Sequence, residues 1–379
     1  MIRIPFNRPY VGGNELSNIA EAQASGHLSG DGPFTRRCHA WLETHNRAGK
    51  ALLTHSCTAA LEMAALLAGI APGDEVVLPS YTFVSTANAF VLRGAVPVFA
   101  DVRIDTLNLD ERLIESAITE RTRAIVPVHY AGVACAMDRI GSVAKRHGLL
   151  VIEDAAQAIM SSYFGRPAGS FGQLAALSFH ATKNIISGEG GALLVNDPSM
   201  AARAEVLREK GTNRSQFVRG EVDKYTWVDI GSSYLPSELV AAYLAAQLDH
   251  ADAITERRLG LWNRYHEAFA PLDRQGRLQR PTIPPGCQHN AHIYYLLLRD
   301  AGDRAAFVDF MKAHGIQCVP HYVPLHSSPY GRRVGRAAGE LRITSDIADR
   351  LVRLPLWPGL EGQIDLVIDT ALRYFRQQS

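Results

Sequence analysis

The stretch Leu149-Leu150-Val151-Ile152-Glu153-Asp154-Ala155-Ala156-Gln157 sets four consecutive apolar residues before two carboxylates. Four apolar residues without alternation mean a strand covered on both faces, as in a parallel sheet lying between helices. Working outward, similar apolar runs recur at 51–54, 75–78, 96–100, 124–128, 175–179 and 191–195. Helix-length stretches at 59–67, 111–118 and 137–147 separate several of them. The pattern predicts an α/β unit built on a mostly parallel seven-stranded sheet. Segments 200–208 and 237–264 read as helices, the second leading out of this unit. Past Pro281-Thr282-Ile283-Pro284-Pro285-Gly286, strands at 293–298 and 317–320 around a helix at 304–314 read as a smaller α+β domain. The expected division is a large domain over residues 1–250 and a small C-terminal domain over residues 251–379.

The 379 residues carry 39 basic and 38 acidic side chains, a balance that argues against a nucleic-acid footprint. With 47% hydrophobic and 20% charged residues, long disorder is not expected. No apolar run approaches the roughly 18 residues of a membrane span. The start, Met1-Ile2-Arg3-Ile4-Pro5-Phe6-Asn7, lacks the apolar core of a signal peptide. The expectation is a cytoplasmic protein that binds neither membrane nor nucleic acid. The five cysteines (Cys38, Cys57, Cys135, Cys287, Cys318) are scattered, with neither a disulfide framework nor zinc spacing, so no metal site is expected. Of the 39 basic residues 33 are Arg, so chemistry needing a primary amine must use Lys50, Lys145, Lys183, Lys210, Lys224 or Lys312.

In open parallel sheets ligands bind beyond the carboxyl ends of the strands. Three polar groups fall there. In Thr54-His55-Ser56-Cys57-Thr58-Ala59-Ala60, hydroxyls meet a helix start; this is either a phosphate site or an N-cap by Ser56 or Thr58. Asp154 ends a buried strand and needs a cation, either a metal or a pyridinium nitrogen, unless it caps a following helix. In Leu177-Ser178-Phe179-His180-Ala181-Thr182-Lys183-Asn184, a lysine at the sheet mouth can form a Schiff base, although most lysines lie on the surface. The glycines of Gly188-Glu189-Gly190-Gly191 precede a strand and so do not make a dinucleotide fingerprint. A phosphate-binding helix start, an acid, and a lysine 29 residues after it are together the parts that pyridoxal 5'-phosphate needs. The acid keeps the ring nitrogen protonated so that the ring is an electron sink; the lysine holds the aldehyde and moves the proton.

The chain resembles the DegT/DnrJ/EryC1/StrS sugar aminotransferases, which are fold type I pyridoxal phosphate enzymes. The resemblance runs from Pro5-Phe6-Asn7 to the last helix. It is carried by Gly30-Asp31-Gly32, Pro79-Ser80-Tyr81-Thr82-Phe83-Val84-Ser85-Thr86-Ala87-Asn88, Pro127-Val128-His129-Tyr130-Ala131-Gly132 and Lys210-Gly211-Thr212-Asn213-Arg214-Ser215. It implies Lys183 as the cofactor lysine, Asp154 at the ring nitrogen, Gln157 at the ring hydroxyl and Phe83 stacked on the ring. Cys57, Thr58, Ala59 and Ser178 match the phosphate positions, and His180, His321 and Tyr322 match the sugar site. Where many members have Gly-x-Asn-Tyr-Arg, this chain has Gly231-Ser232-Ser233-Tyr234-Leu235. Ser233 can still donate a hydrogen bond to a neighbouring subunit's cofactor phosphate, but Leu235 cannot replace an arginine. This variant, with Lys224-Tyr225-Thr226-Trp227 upstream, is similar to the branch that makes 4-amino-4,6-dideoxygalactose. Lys224 and Tyr225 either contact the nucleotide across a dimer or sit in a solvated loop.

The resemblance therefore implies transamination of dTDP-4-keto-6-deoxy-D-glucose by L-glutamate in a homodimer with shared active sites. The products would be dTDP-4-amino-4,6-dideoxy-D-galactose and 2-oxoglutarate, for enterobacterial common antigen or another surface polysaccharide such as lipopolysaccharide. Related dehydratases carry histidine at the position of Lys183. The alternatives are another nucleotide-sugar 4- or 3-aminotransferase, for example one with a gluco-configured product, or a pyridoxal-phosphate-binding regulator. A regulator would be expected to carry a basic patch, which the sequence lacks.

Overall fold

The computed structural model describes residues 2–378. Its strands, in chain order, are β1 (Lys50–Thr54), β2 (Glu75–Pro79), β3 (Val96–Ala100), β4 (Thr122–Ile125), β5 (Leu150–Asp154), β6 (Leu174–Ser178) and β7 (Gly191–Val195). They are followed by β8 (Tyr294–Leu297), β9 (Arg336–Ala337) and β10 (Leu351–Leu354). Three two-residue segments, Ser162–Tyr163, Arg166–Pro167 and Cys287–Gln288, form a small separate sheet. The large sheet has the order β1-β7-β6-β5-β4-β2-β3-β9. Only β7 runs antiparallel to its neighbours, β1 and β6. The link from β6 to β7 holds no crossover helix, and without one a parallel return is not available.

Neighbouring residues on a strand serve opposite cores. Val76 and Ile152 pack toward the helix Cys57–Leu67, while Val77 and Val151 pack toward the helix Met137–His147. The unbroken apolar runs thus reflect a sheet buried on both faces. A further cluster joins Leu261, Trp262, Leu296, Val352 and Phe375 with Ile4.

Several expected elements differ. The sheet has eight strands rather than seven, because Arg336–Ala337 pairs in parallel with Val98–Phe99. Two residues carry no readable period, and this strand is held by charge. The Arg336 guanidinium donates to both oxygens of buried Glu75, at 3.0 and 2.7 Å. Segment 111–118 shrinks to the single turn Ile114–Ala117. The strand at 124–128 ends at Ile125, since Pro127 has no N–H for the ladder. Segment 317–320 makes only a one-residue bridge, Val319 to Arg353, and β10, which was not predicted, pairs with β8. The stretch 237–264 is two helices, Glu238–Asp249 and Ala251–Ala268, broken at His250. Among the described residues no helix is long and apolar enough to cross a membrane, and no cluster of three metal-ligating side chains forms.

Candidate active site

Asp154 closes β5, and its carboxylate emerges at the carboxyl edge of the sheet. Thr86 Oγ1 donates to Oδ2 at 2.7 Å and the Ala156 amide to Oδ1 at 3.1 Å. No helix follows Asp154, so a capping role is excluded. The carboxylate borders a cavity of about 630 Å³ whose wall includes Cys57, Thr58, Phe83, Ser178, His180 and Lys183.

Lys183 lies in the loop between β6 and β7 and reaches into this cavity. Among the described residues no carboxylate comes within ion-pair distance of its amine, and it is not a surface lysine. Burial pulls its pKa below the ordinary lysine value; Cys57 and Asp154 push it back up, and Arg353 adds to the lowering. An amine in that state sheds its proton more easily than a solvated one.

Both readings of the loop after β1 hold at once. Ser56 caps the helix Cys57–Leu67, its Oγ accepting from the Ala59 amide at 3.1 Å. Ala59 is therefore engaged and does not reach the cavity wall, whereas the Cys57 and Thr58 amides have no carbonyl one turn back to accept them. Thr58 Oγ1 is 2.7 Å from Ser85 Oγ. Gly191 makes this tight corner possible, since a Cβ there would lie 2.4 Å from the Cys57 nitrogen. Ser178, at the end of β6, completes the phosphate-sized corner.

The opposite wall is aromatic. His321 stacks on Tyr322 with ring centroids 3.6 Å apart, and Phe83 lies 6.3 Å from Tyr322. Gln157 stands behind this wall: its Oε1 accepts from the Ala131 amide at 2.7 Å and its Nε2 donates to Tyr322 Oη at 3.0 Å. Tyr130 Oη is 2.7 Å from His321 Nδ1. Burial drives the Tyr130 phenol up, so it keeps its proton, and burial with Arg353 and Lys183 drives His321 down, so it stays neutral. With both rings neutral, a single hydrogen bridges Tyr130 Oη and His321 Nδ1. At His180 the Thr182 amide donates to Nδ1 at 3.2 Å, placing the hydrogen on Nε2, 3.6 Å from Glu189.

Thr86, Arg258, His292 and Arg353 also belong to the site or its support, and nothing local in the sequence marks them. Thr86 lies within Pro79–Asn88, yet its bond to Asp154 spans 68 positions. Buried Arg258 donates to the carbonyls of Ala291 and His292, and burial pushes its pKa down to about 9. His292 Nδ1 lies 2.9 Å from Asn184 Oδ1, next in sequence to Lys183. Ser233, Lys224 and Tyr225 are not brought into this cavity. All three are exposed, Ser233 bridging to Glu209 and Tyr225 lying 5.7 Å from Phe217.

The model of the DegT/DnrJ/EryC1/StrS aminotransferase family matches residues 9–371. The chain belongs to this family. The spore coat polysaccharide biosynthesis protein SpsC of Bacillus subtilis is 35% identical, the match covering 97% of this chain and 95% of that one. The aminotransferase TlmJ from Streptoalloteichus hindustanus superposes with a TM-score of 0.90 at 30% identity, covering all of both chains. The putative sugar aminotransferase Spr1654 from Streptococcus pneumoniae superposes in its PMP-form with a TM-score of 0.92 at 25% identity, covering 99% of this chain and 100% of that one. Its PLP-form superposes with a TM-score of 0.90 at 26% identity, covering 99% of both chains. The protein is a sugar aminotransferase of fold type I, and its cofactor is pyridoxal 5'-phosphate.

Proposed function

We propose that this DegT/DnrJ/EryC1/StrS aminotransferase moves the amino group of L-glutamate onto C4 of dTDP-4-keto-6-deoxy-D-glucose. The products are dTDP-4-amino-4,6-dideoxy-D-galactose and 2-oxoglutarate. The observation that carries the reading is the unpaired amine of Lys183 sharing one cavity with Asp154. The residues present fit the cofactor, because amine, carboxylate and open helix amides border one cavity of about 630 Å³. In this reading Lys183 holds its aldehyde and Asp154 keeps a proton on its ring nitrogen. Phe83 covers the ring, and Gln157, which stands behind Tyr322, holds that phenol in place beside it. The phosphate rests on the amides of Cys57 and Thr58 and on the hydroxyls of Thr58 and Ser178; Ala59, its amide taken by Ser56, shapes the turn. Bound there, the cofactor supplies the electron sink for bond cleavage at the amino-bearing carbon.

Lys183 then takes a proton from the donor's Cα and later delivers one to C4 of the sugar. Such positioned proton transfer contributes roughly 10²–10⁴-fold. His180, His321 and Tyr322 present hydrogen-bonding groups to the sugar hydroxyls. The sugar class is supported by the names of Spr1654 and SpsC, and a surface polysaccharide by SpsC. The 4-amino galacto product is supported by Ser232-Ser233-Tyr234-Leu235, and enterobacterial common antigen or lipopolysaccharide follows only from that branch. Ser233, Lys224 and Tyr225, exposed outside their own cavity, serve the cavity of a second copy in a homodimer.

Proton NMR of the product formed from purified protein, L-glutamate and the keto sugar nucleotide tests this reading, after sedimentation has checked for two chains. A small coupling between the protons on C3 and C4 is expected, reporting an axial amine. A large coupling would place the amine equatorially and make the enzyme a gluco-type aminotransferase. Formation of no amino sugar would overturn the substrate assignment.

A further inference from the structure

The helix Val84–Val91 starts beside the cavity, and its opening residues reach three parts of the site. Phe83, just before it, lies on the cavity wall, and Ser85 Oγ is 2.7 Å from Thr58 Oγ1 at the phosphate corner. Thr86 Oγ1 donates to Asp154 Oδ2 at 2.7 Å. A threonine inside a helix commonly returns its hydroxyl to the carbonyl four residues back, as Thr255 does to Ala251 at 2.8 Å. Thr86 instead spends its hydrogen on a carboxylate from another strand. Four residues earlier, Thr82 Oγ1 lies 2.7 Å from Thr86 Oγ1, and both threonines are buried. A hydroxyl has one hydrogen to give. Thr86 gives its own to Asp154, so Thr82 is the donor to Thr86, and the chain of bonds runs one way toward the acid. The other carboxylate oxygen, Oδ1, accepts from the Ala156 amide at 3.1 Å. Both oxygens are thereby tethered. Among the described residues no cation comes within ion-pair distance of Asp154, so these neutral donors are what its charge rests on.

We propose that Thr86, backed by Thr82, is the positioning residue that keeps the proton shared by Asp154 and the cofactor on the ring nitrogen. The assignment rests on the reading of Asp154 given above. A hydrogen bond donated to a carboxylate favours its charged form, and a donor polarised by a second hydroxyl is a stronger donor. A carboxylate held in this way is a poorer base, so a proton between it and a pyridine nitrogen stays with the nitrogen. The proton changes place only within that pair; none enters or leaves. Loss of the Thr86 hydroxyl makes Asp154 the better base of the two and frees Oδ2 to turn.

The test loads wild-type protein and the variants Thr86→Val, Thr86→Ser, Thr82→Val and Asp154→Asn with pyridoxal phosphate whose ring nitrogen is isotopically labelled, and reads that nitrogen by NMR at neutral pH. Valine keeps the size and branching of threonine, and thermal melting checks that each variant folds. Wild type is expected at the protonated resonance and Asp154→Asn at the neutral one. Thr86→Val should move toward the neutral resonance and lose roughly ten- to hundredfold in kcat, the effect of one hydrogen bond to a charged group, with both KM values unchanged. Thr86→Ser should return both readings toward wild type, and Thr82→Val should give a smaller shift of the same sign. A protonated wild type and a neutral Asp154→Asn beside an unmoved Thr86→Val would overturn the role of Thr86. So would a Thr86→Ser no better than the valine variant. A nitrogen resonance that Asp154→Asn leaves where wild type has it would overturn the reading of Asp154 itself, and this assignment with it.

Discussion

At the scale of single residues, the cavity turns an ordinary lysine into a reactive one by denying it water and a partner. Its pKa falls below the usual 10.5 because burial disfavours the ammonium form. The sign has a kinetic consequence, since only the neutral amine attacks an aldehyde. Capture of the cofactor by the apo protein should therefore rise with pH and level off below 10.5, as followed by absorbance in a stopped-flow series. A rate still climbing at pH 10.5 would contradict the burial argument. Lys183 and Asp154 were legible because each follows a buried apolar strand in a chain with only six lysines. Phe83, His180, His321 and Tyr322 came only from resemblance, because nothing local separates them from structural aromatics and histidines. Arg353 was invisible among 33 arginines. Its place on the cavity wall comes from the pairing of β10 with β8, and spacing cannot record that.

At the scale of elements, the site depends on backbones allowed to come unusually close. Gly191 opens β7 against the Ser56–Cys57 peptide, and a methyl group there would sit 2.5 Å from the Ser56 carbonyl carbon. Backbone cannot rotate out of the way as a side chain can, so Gly191→Ala must push the helix start outward. Overpacking of this kind costs about 1–3 kcal/mol. The expected result is cofactor affinity reduced by roughly tenfold or more with the circular dichroism spectrum retained, measured by absorbance titration. Unchanged affinity would mean that the amides of Cys57 and Thr58 do not hold the phosphate. The seven long strands were readable because being buried on two faces demands continuous apolar residues. β9 was not, because two residues beside Gly335 carry no period and owe their place to Arg336 and Glu75, 261 positions apart. That pairing shows in the acid itself, whose pKa is held down to about 2, first by its bonds to Arg336.

At the scale of the molecule, the first residues tie together parts far apart in sequence. Ile4 packs among Trp262, Leu296 and Phe375 and bridges to Ile316, and the Trp357 indole donates to the Pro5 carbonyl at 3.1 Å. Asn7 then reaches the Ala181 carbonyl at 3.3 Å, two residues before the lysine. Phe6, between them, covers the guanidinium of Arg353. The mostly parallel sheet and its carboxyl-edge site followed from the strand pattern, since topology fixes where such sheets bind ligands. The path of residues 4–7 did not, because a short extended segment announces neither its partners nor its destination. The cavity, the Asp154 carboxylate and the open helix amides converge on one amine. The most direct measurement is borohydride reduction of the cofactor-loaded protein, followed by mass mapping of its six lysines. The account predicts a pyridoxyl group on Lys183, lost in Lys183→Ala together with all turnover. A label on Lys50, Lys145, Lys210, Lys224 or Lys312, or on none, would contradict it.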